Sequence, residues 1–178
     1  FNSNKKITSK EFDIWMRLLK EVKGSVLWLY KSSKWTVENL YQEAEKRKVD
    51  PNRLIFADRL PLDKHLARHS LGDIGLDTFA FNGCTTSSFA LWAGMPVLTK
   101  TGESFAARLT ASLLTSLGFP ELVTYSENEY EELALNLANK PYELIKLKDK
   151  IGKIREKSLF FNSQLYTQDL ENIYLNLV

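Results

Sequence analysis

The sequence predicts an α/β fold with a Rossmann-like parallel sheet that carries helices on both faces. Two features predict it: short apolar runs recur between residues 26 and 124, and segments with helical periodicity separate them. Continuous apolar runs of this length are typical of strands buried on both faces of a parallel sheet. Strands that alternate with helices join through right-handed crossovers. From Ser126 onward the pattern predicts only helices, so the fold ends in a helical C-terminal tail.

The first helix follows a capping box, in which Thr8 and Glu11 stand three residues apart. Gly24 ends this helix, whose apolar positions recur at helical spacing: Phe12, Trp15, Met16, Leu19 and Val22. Residues 26–30 form the first predicted strand. A second helix is predicted over about residues 36–47, with an inward face of Val37, Leu40, Tyr41 and Ala44.

The alternation of strands and helices continues to residue 124. Strands are predicted at residues 54–56, 74–76, 97–99 and 122–124, and helices at 63–70, 85–93 and 105–117. Gly118 ends the last of these helices. A second capping box, Ser126-Glu127-Asn128-Glu129, begins the helical tail, which is interrupted at residues 140–141 and 158–163.

Composition excludes several classes of protein. The 178 residues suit one domain, 1–178, and the 44% hydrophobic and 26% charged content is ordinary for a soluble globular protein. The net charge of +2 arises from 24 basic and 22 acidic residues mixed along the chain, so no basic face predicts binding to nucleic acid or to a membrane surface.

Cysteine usage and the absence of long apolar runs indicate a cytoplasmic protein. Cys84 is the single cysteine and cannot form an internal disulfide, and no apolar run approaches the ~20 residues of a membrane span. His65, His69 and Cys84 form no recognisable metal-ligand pattern, so we expect no metal and no cofactor. The chain starts at Phe1 without an initiator Met or a signal peptide, so we expect it to be a piece of a longer protein.

The best candidate for chemistry is the loop after the third predicted strand. There a strand end leads through Asn82-Gly83-Cys84-Thr85-Thr86 into a helix. The first N–H groups of a helix lack partners within the helix, and the helix dipole adds about half a positive charge there. Such a terminus can hold a diphosphate. From the pattern alone, an equally good interpretation is that Thr85 or Thr86 caps the helix and Gly83 forms a turn.

Two other segments are weaker candidates. His65 and Arg68 lie one turn apart on a predicted helix and share a face, although the pattern alone favours an exposed pair without a role. Residues 100–104 precede a helix that contains Arg108, which could line the same crevice. For this second segment the pattern favours a solvated turn with a capping serine.

Taken together, the segments of the chain resemble the C-terminal catalytic half of the protein O-linked N-acetylglucosamine transferases, glycosyltransferase family 41, which includes the Spindly-type enzymes. The resemblance covers essentially the whole chain. It is carried by residues 25–29, 52–56, 73–78, 82–86, 91–97, 102–103, 107–108, 117–118 and 161–166, and by His65 with Arg68.

The resemblance implies a two-domain (B-type) glycosyltransferase in which this half binds the UDP-sugar. The sugar, N-acetylglucosamine, would pass to Ser or Thr hydroxyls of an acceptor protein. In the family, a preceding half and tetratricopeptide repeats bind the acceptor. We therefore expect the partners to be a UDP-sugar and a protein, and we expect the chain by itself to be inactive.

The resemblance also assigns roles to individual residues. Phe1, Asn2 and Lys6 match a segment of the family whose lysine contacts the diphosphate, and Lys6 takes the place of that lysine. Ser3 stands where the family uses a glutamine. Leu60 falls on a position whose backbone contacts the uracil. The remaining donor-site positions are His65 and Arg68 near the nucleotide, Thr85 and Thr86 at the phosphates, and Cys84 beside them.

Three residues depart from the family pattern, and they keep alternatives open. Cys84 stands where the N-acetylglucosaminyltransferases have histidine, Phe89 where the family has the acid that binds the ribose, and Leu62 where it has a basic residue. Losing the carboxylate would cost a few kcal/mol of nucleotide binding. One alternative is a pseudoenzyme scaffold of a tetratricopeptide-repeat protein that binds no nucleotide. Another is a sugar-nucleotide epimerase, although the acidic residues expected in its donor loop are not apparent.

Overall fold

A computed structural model describes residues 2–155 and 158–177 of the protein. Phe1, residues 156–157 of the predicted tail and Val178 lie outside the described residues. The strands are β1 (Leu27–Tyr30), β2 (Leu54–Ala57), β3 (Gly75–Leu76), β4 (Val97–Lys100) and β5 (Val123–Thr124). The helices are α1 (Ser9–Glu21), α2 (Lys34–Lys46), α3 (Leu62–Arg68), α4 (Thr85–Trp92), α5 (Leu109–Ser116), α6 (Glu127–Asn139), α7 (Pro141–Arg155) and α8 (Ser163–Leu175).

All strand pairs found in the described residues are parallel, which confirms the predicted fold class. β1 pairs with β2 in the register Leu27 to Leu54. β4 lies between β3 and β5, with Gly75 opposite Val97. The strands therefore form a two-stranded and a three-stranded group, and the carboxyl ends within each group share an edge.

Helices cover both faces of the three-stranded group, as the alternation along β4 shows. Successive side chains of a strand point to opposite faces. Leu98 belongs to the cluster that contains Trp15 of α1 and Tyr130 of α6, whereas Val97 belongs to the cluster that contains Leu114 of α5 and Ile151 of α7. The two clusters form the core on either side of the strands.

Helix α1 begins as the capping pattern predicts and also supports the candidate site. The Glu11 carboxylate accepts a hydrogen bond from the Thr8 backbone N–H at 3.1 Å. Glu11 is fully buried, and its second oxygen accepts from the Phe79 N–H at 2.6 Å. The start of α1 is thereby tied to the loop that follows β3.

Two predictions about the elements are wrong. β1 is not buried on both faces, because only Leu29 of its residues is buried and Val26 before it is 56% exposed. The helix expected from residue 105 begins at Leu109. Asn82 explains the late start: its N–H donates to the Ala106 carbonyl at 2.9 Å, and its Oδ1 accepts from the Thr110 N–H at 3.3 Å. In a helix that began at residue 105, the Thr110 N–H would donate to the Ala106 carbonyl. Asn82 binds both of these groups instead.

No helix in the described part of the chain combines the length and the apolar character needed to cross a membrane. The breaks predicted in the tail are confirmed where the structure describes them: α6 ends before Lys140, and a single 3₁₀ turn at Leu159–Phe161 precedes α8. Ser126 caps α6 by accepting from the Glu129 N–H at 3.1 Å. The Glu129 carboxylate accepts from Tyr125 rather than from Ser126, so this capping box is incomplete.

Candidate functional site

A buried carboxylate organises the loop between β3 and α4. Asp77 immediately follows β3 and is 4% exposed. Its Oδ1 accepts from the N–H groups of Thr78 (2.9 Å) and Gly83 (2.7 Å), and its Oδ2 accepts from the Thr99 hydroxyl at 2.8 Å. Burial raises the pKa of Asp77 to about 6, although these hydrogen bonds oppose the rise. The carboxylate folds residues 77–83 into a tight loop at the carboxyl edge.

Asn82 and Gly83 fix the end of this loop. The fully buried Asn82 side chain donates to the Thr78 carbonyl at 2.7 Å, in addition to its bond with Thr110. A Cβ on Gly83 would overlap the Ser87 Oγ and lie 3.2 Å from the Asp77 Oδ1. Glycine suits this position, because a side chain would displace the Ser87 hydroxyl and press against the Ser87 N–H and the carboxylate.

Helix α4 begins at this loop without a side-chain cap. Cys84 is the N-cap residue, is exposed, and has a φ of +42°, a conformation that is costly for a residue with a Cβ. Thr85 and Thr86 are the first two helical residues, so the interpretation of either as the cap is wrong. The Thr86 N–H donates to the Gly83 carbonyl at 2.9 Å, so the first turn of α4 offers the Thr85 N–H and the two threonine hydroxyls at the carboxyl edge of the sheet.

Lys6 lies against the same loop. It ends a 3₁₀ turn, Asn4–Lys6, and its Nζ donates to the Asn82 carbonyl at 2.9 Å and stands 4.1 Å from the centroid of the Phe81 ring. Desolvation lowers the pKa of Lys6, whereas the charges of Asp77 and Cys84 raise it. Asn2 also contacts the loop, donating to the Thr78 hydroxyl at 2.9 Å. The N-terminal segment thus places a cation beside the start of α4.

A cleft of about 740 Å³ lies next to this segment. Its walls come from the loops after β1 and β2, from α3 and from the N-terminal segment: Ser3, Tyr30, Arg59, Leu60, Pro61, Leu62, His65 and Arg68. The guanidinium of Arg68 donates to the His65 Nδ1 at 2.7 Å and to the Asp58 carbonyl at 2.7 Å. Desolvation and then the Arg68 charge lower the pKa of His65, so the imidazole is neutral at pH 7.

The structure brings the predicted residues together in two groups. Leu60, His65 and Arg68 line the cleft, whereas Lys6, Cys84, Thr85 and Thr86 surround the start of α4. The segment of Ser3 and Lys6 joins the groups, because Ser3 lines the cleft and Lys6 contacts the loop. The groups also meet where the Phe89 ring packs edge-on against the His65 ring, with 6.0 Å between centroids.

Arg108 is not part of either group. It is exposed and donates to the Glu103 carbonyl at 2.9 Å, and Ser104 accepts from the Ala107 N–H at 3.2 Å. The expectation of a solvated turn is therefore confirmed, but Ser104 closes that turn and does not cap α5, whose N-cap residue is Arg108. Across the described ranges, no three His, Cys, Asp or Glu side chains are grouped so as to hold a metal ion.

Sequence reasoning gave no role to four residues that build the site. Asp77 and Asn82 shape the loop, and Tyr30 and Arg59 line the cleft. Asp77 carried a usable signal, because an acidic residue directly after a predicted strand and shortly before Asn-Gly is well placed to accept from a folded-back loop. Tyr30 and Arg59 carried no signal beyond their position at strand ends.

Comparisons with known proteins cover nearly the whole chain. The model of glycosyl transferase family 41 matches residues 1–170. A UDP-N-acetylglucosamine–peptide N-acetylglucosaminyltransferase of Caenorhabditis elegans is 34% identical over 97% of the chain. The probable enzyme SPINDLY of Petunia hybrida is 32% identical over 99% of it. The chain spans 15% and 19% of the lengths of these two relatives.

A solved structure shows the same fold. An O-GlcNAc transferase of Thermobaculum terrenum, solved as a point mutant, superposes with a TM-score of 0.90 at 32% identity. The match covers 98% of this chain and 34% of that one. The resemblance found in the sequence is therefore confirmed at the level of family and fold.

Proposed function

The chain belongs to glycosyl transferase family 41, and on that premise we propose that residues 1–178 form the donor-binding C-terminal domain of a glycosyltransferase. The complete protein would transfer N-acetylglucosamine from its UDP-sugar to Ser or Thr hydroxyls of proteins. The names of the relatives, which are peptide N-acetylglucosaminyltransferases, support this donor and this class of acceptor. The acceptor would bind to a preceding half and to tetratricopeptide repeats.

The observation that carries the proposal is the position of the N-terminal segment. Ser3 lines the 740 Å³ cleft, and Lys6 three residues later contacts the loop that leads into α4. A nucleoside diphosphate with its base and ribose in the cleft, near Leu60, His65 and Arg68, would direct its phosphates along this segment. The phosphates would then meet the Lys6 ammonium, the Thr85 N–H and the hydroxyls of Thr85 and Thr86, beside Cys84.

The reaction proposed for this site is a direct displacement. The acceptor oxygen forms a bond to the anomeric carbon, its proton passes to water, and the bond from that carbon to the diphosphate breaks. The electron pair of the broken bond remains on the diphosphate oxygen, where negative charge grows. Lys6 and the start of α4 would stabilise that charge, and preorganised stabilisation of this kind is often the largest catalytic contribution.

One observation favours a second candidate function, a scaffold that binds no nucleotide. The Phe89 ring packs against His65, at the position where the family resemblance predicts a ribose-binding acid. An apolar ring cannot accept hydrogen bonds from ribose hydroxyls. The scaffold would keep the fold and the interactions with other parts of the protein but would lose the donor site.

Thermal unfolding with and without UDP separates the two functions. A ligand at about 100 times its dissociation constant stabilises a protein by about 2.7 kcal/mol, which for a domain of this size raises the Tm by about 5 °C or more. We expect UDP at millimolar concentration to raise the Tm, and GDP at the same concentration to raise it less. A Tm that is unchanged by millimolar UDP would support the scaffold.

A further inference from the structure

One peptide group of the loop lies between two opposite charges. The Asn82 carbonyl accepts from the Lys6 Nζ at 2.9 Å, and the Gly83 N–H donates to the Asp77 Oδ1 at 2.7 Å. The carbonyl and the N–H belong to the same peptide group. A cation at the oxygen and an anion at the N–H polarise that group in the same direction, so each charge strengthens the hydrogen bond of the other.

The surroundings hold this peptide group in one orientation. Both ends of the Asn82 side-chain amide are hydrogen-bonded, and Asp77 accepts from two further donors, Thr78 and Thr99. The loop packs closely against α4 at Gly83, where an added Cβ would meet the Ser87 side chain and backbone. Since Asp77 and Asn82 are buried, solvent cannot replace these partners. Two hydrogen bonds through one peptide group of fixed orientation therefore connect the Lys6 ammonium to the Asp77 carboxylate.

We propose that Asp77 is a positioning residue for the donor site, which holds Lys6 in place and in its charged form through the Asn82–Gly83 peptide. Asp77 itself would not contact the donor, since it lies buried beneath the loop. The electrostatics agree with this geometry, because desolvation lowers the pKa of Lys6 and the Asp77 carboxylate opposes that change. The consequence for diphosphate binding rests on the proposed function, but the coupling between Asp77 and Lys6 does not.

The matched variants are Asp77→Asn and Asp73→Asn. In Asp77→Asn the amide oxygen can still accept from both backbone N–H groups, and the amide nitrogen can donate to the Thr99 hydroxyl oxygen, so chiefly the charge is lost. Asp73 precedes β3 and pairs with Lys148 at 3.0 Å, with 80% of its side chain exposed. Its substitution removes a similar charge at the other end of the strand.

Lysine Cε signals, followed by NMR during a pH titration, report the charge state of Lys6; Lys6→Arg assigns the signal. Removing a charge that is one peptide group away should lower the titration midpoint of Lys6 by about 0.5 to 2 pH units in Asp77→Asn. Asp73→Asn should leave it unchanged. An unchanged midpoint in a folded Asp77→Asn protein would overturn the proposal.

The wild-type protein provides a second measurement if Asp77→Asn does not fold. Protonation of Asp77 near pH 6 should move the Gly83 amide signal and the Lys6 signal with the same midpoint. The other titratable groups at this loop are Cys84, whose charge also raises the pKa of Lys6, Glu11, which accepts from Phe79, and Tyr130, which donates to the Asp77 carbonyl. A Glu11→Gln protein in the same titration should keep the joint midpoint. A change in the Gly83 amide signal near pH 6 without a change in the Lys6 signal would contradict the proposal.

A double-mutant cycle of UDP binding tests whether the coupling between Asp77 and Lys6 affects the donor. Asp77→Asn should weaken UDP binding about threefold or more when Lys6 is present, and should have no effect in a Lys6→Met background. Equal effects in both backgrounds would mean that Asp77 acts only through the general structure of the loop. If the wild-type protein binds no UDP, the proposed function fails, while the lysine titration still decides whether Asp77 and Lys6 are coupled.

Discussion

Arg68 donates from its guanidinium to the His65 Nδ1 at 2.7 Å, and this contact determines the tautomer of His65. Arginine can only donate, so Nδ1 is the unprotonated nitrogen and the proton of the neutral imidazole lies on Nε2. Arg68 is 8% exposed and also donates to the Asp58 carbonyl, so its guanidinium is held in place. The wall of the cleft thus contains a neutral imidazole whose Nε2 is a hydrogen-bond donor.

Replacing Arg68 should change the titration of His65. Desolvation, followed by the Arg68 charge, lowers the pKa of His65, so in Arg68→Met the pKa should rise toward its ordinary value of 6.5. Imidazole C2–H signals measured by NMR as a function of pH report this. Arg59→Met, which removes an exposed cation from the same cleft, is the control. A His65 pKa that falls or stays constant in Arg68→Met would show that the guanidinium does not set its charge state.

Phe89→Asp should strengthen UDP binding if the cleft holds the ribose. The family resemblance predicts an acid at this position, and a carboxylate hydrogen-bonded to ribose hydroxyls contributes about 1.5 to 3 kcal/mol, or roughly a tenfold to hundredfold gain in affinity. The variant loses the ring contact with His65, so a lower Tm is expected at the same time. Phe89→Leu, measured by the same calorimetric titration, separates the new carboxylate from the loss of the ring. Equal affinities of these two variants would argue against a ribose at this position.

Asp77 should make the stability of the protein depend on pH between about 4 and 6. Its folded pKa of about 6 exceeds the ordinary 3.8, so over that range the unfolded chain ionises Asp77 while the folded protein keeps it protonated. The stabilising contribution of Asp77 is therefore complete below 3.8 and is lost as the pH rises through about 6. The difference between the two values corresponds to about 3 kcal/mol.

Urea unfolding of the wild-type and Asp77→Asn proteins at a series of pH values tests this dependence. The free energy of unfolding of Asp77→Asn, relative to wild type, should increase from pH 4 to 6 and then level off. His69 has the opposite effect, since burial lowers its pKa to about 4 and its contribution is lost as the pH falls from 6.5. His69 is present in both proteins, so its effect cancels. A constant difference across this range would contradict a raised Asp77 pKa.

The sequence predicts the order and type of the elements because their signals are local. The Thr8 and Glu11 pair defines the start of α1, and the apolar run that ends at Tyr30 defines β1. The late start of α5 was not predictable, because it depends on Asn82, a residue 27 positions before Leu109 that pairs with Ala106 and Thr110. Tertiary hydrogen bonds of that kind leave no periodic trace in the sequence.

In the candidate site too, the features that depend on local sequence were predictable and those that depend on tertiary hydrogen bonds were not. Thr85 and Thr86 follow a strand and open a helix, so their position was predictable from the local pattern together with the resemblance. The role of Asp77 was not, because its three donors come from positions one, six and 22 residues away. The contact of Lys6 with Asn82 joins residues 76 positions apart, and only the folded chain brings them together.

Calorimetric titration of UDP into the wild-type, Lys6→Ala and Lys5→Ala proteins tests the central claim most directly. Lys5 is the matched control, since it is the exposed neighbour of Lys6. Losing a charge-assisted hydrogen bond to the diphosphate should weaken binding about tenfold to hundredfold in Lys6→Ala, with affinity retained in Lys5→Ala. Measurable binding by the wild-type protein that is undiminished in Lys6→Ala would contradict the assignment of this loop as the diphosphate site.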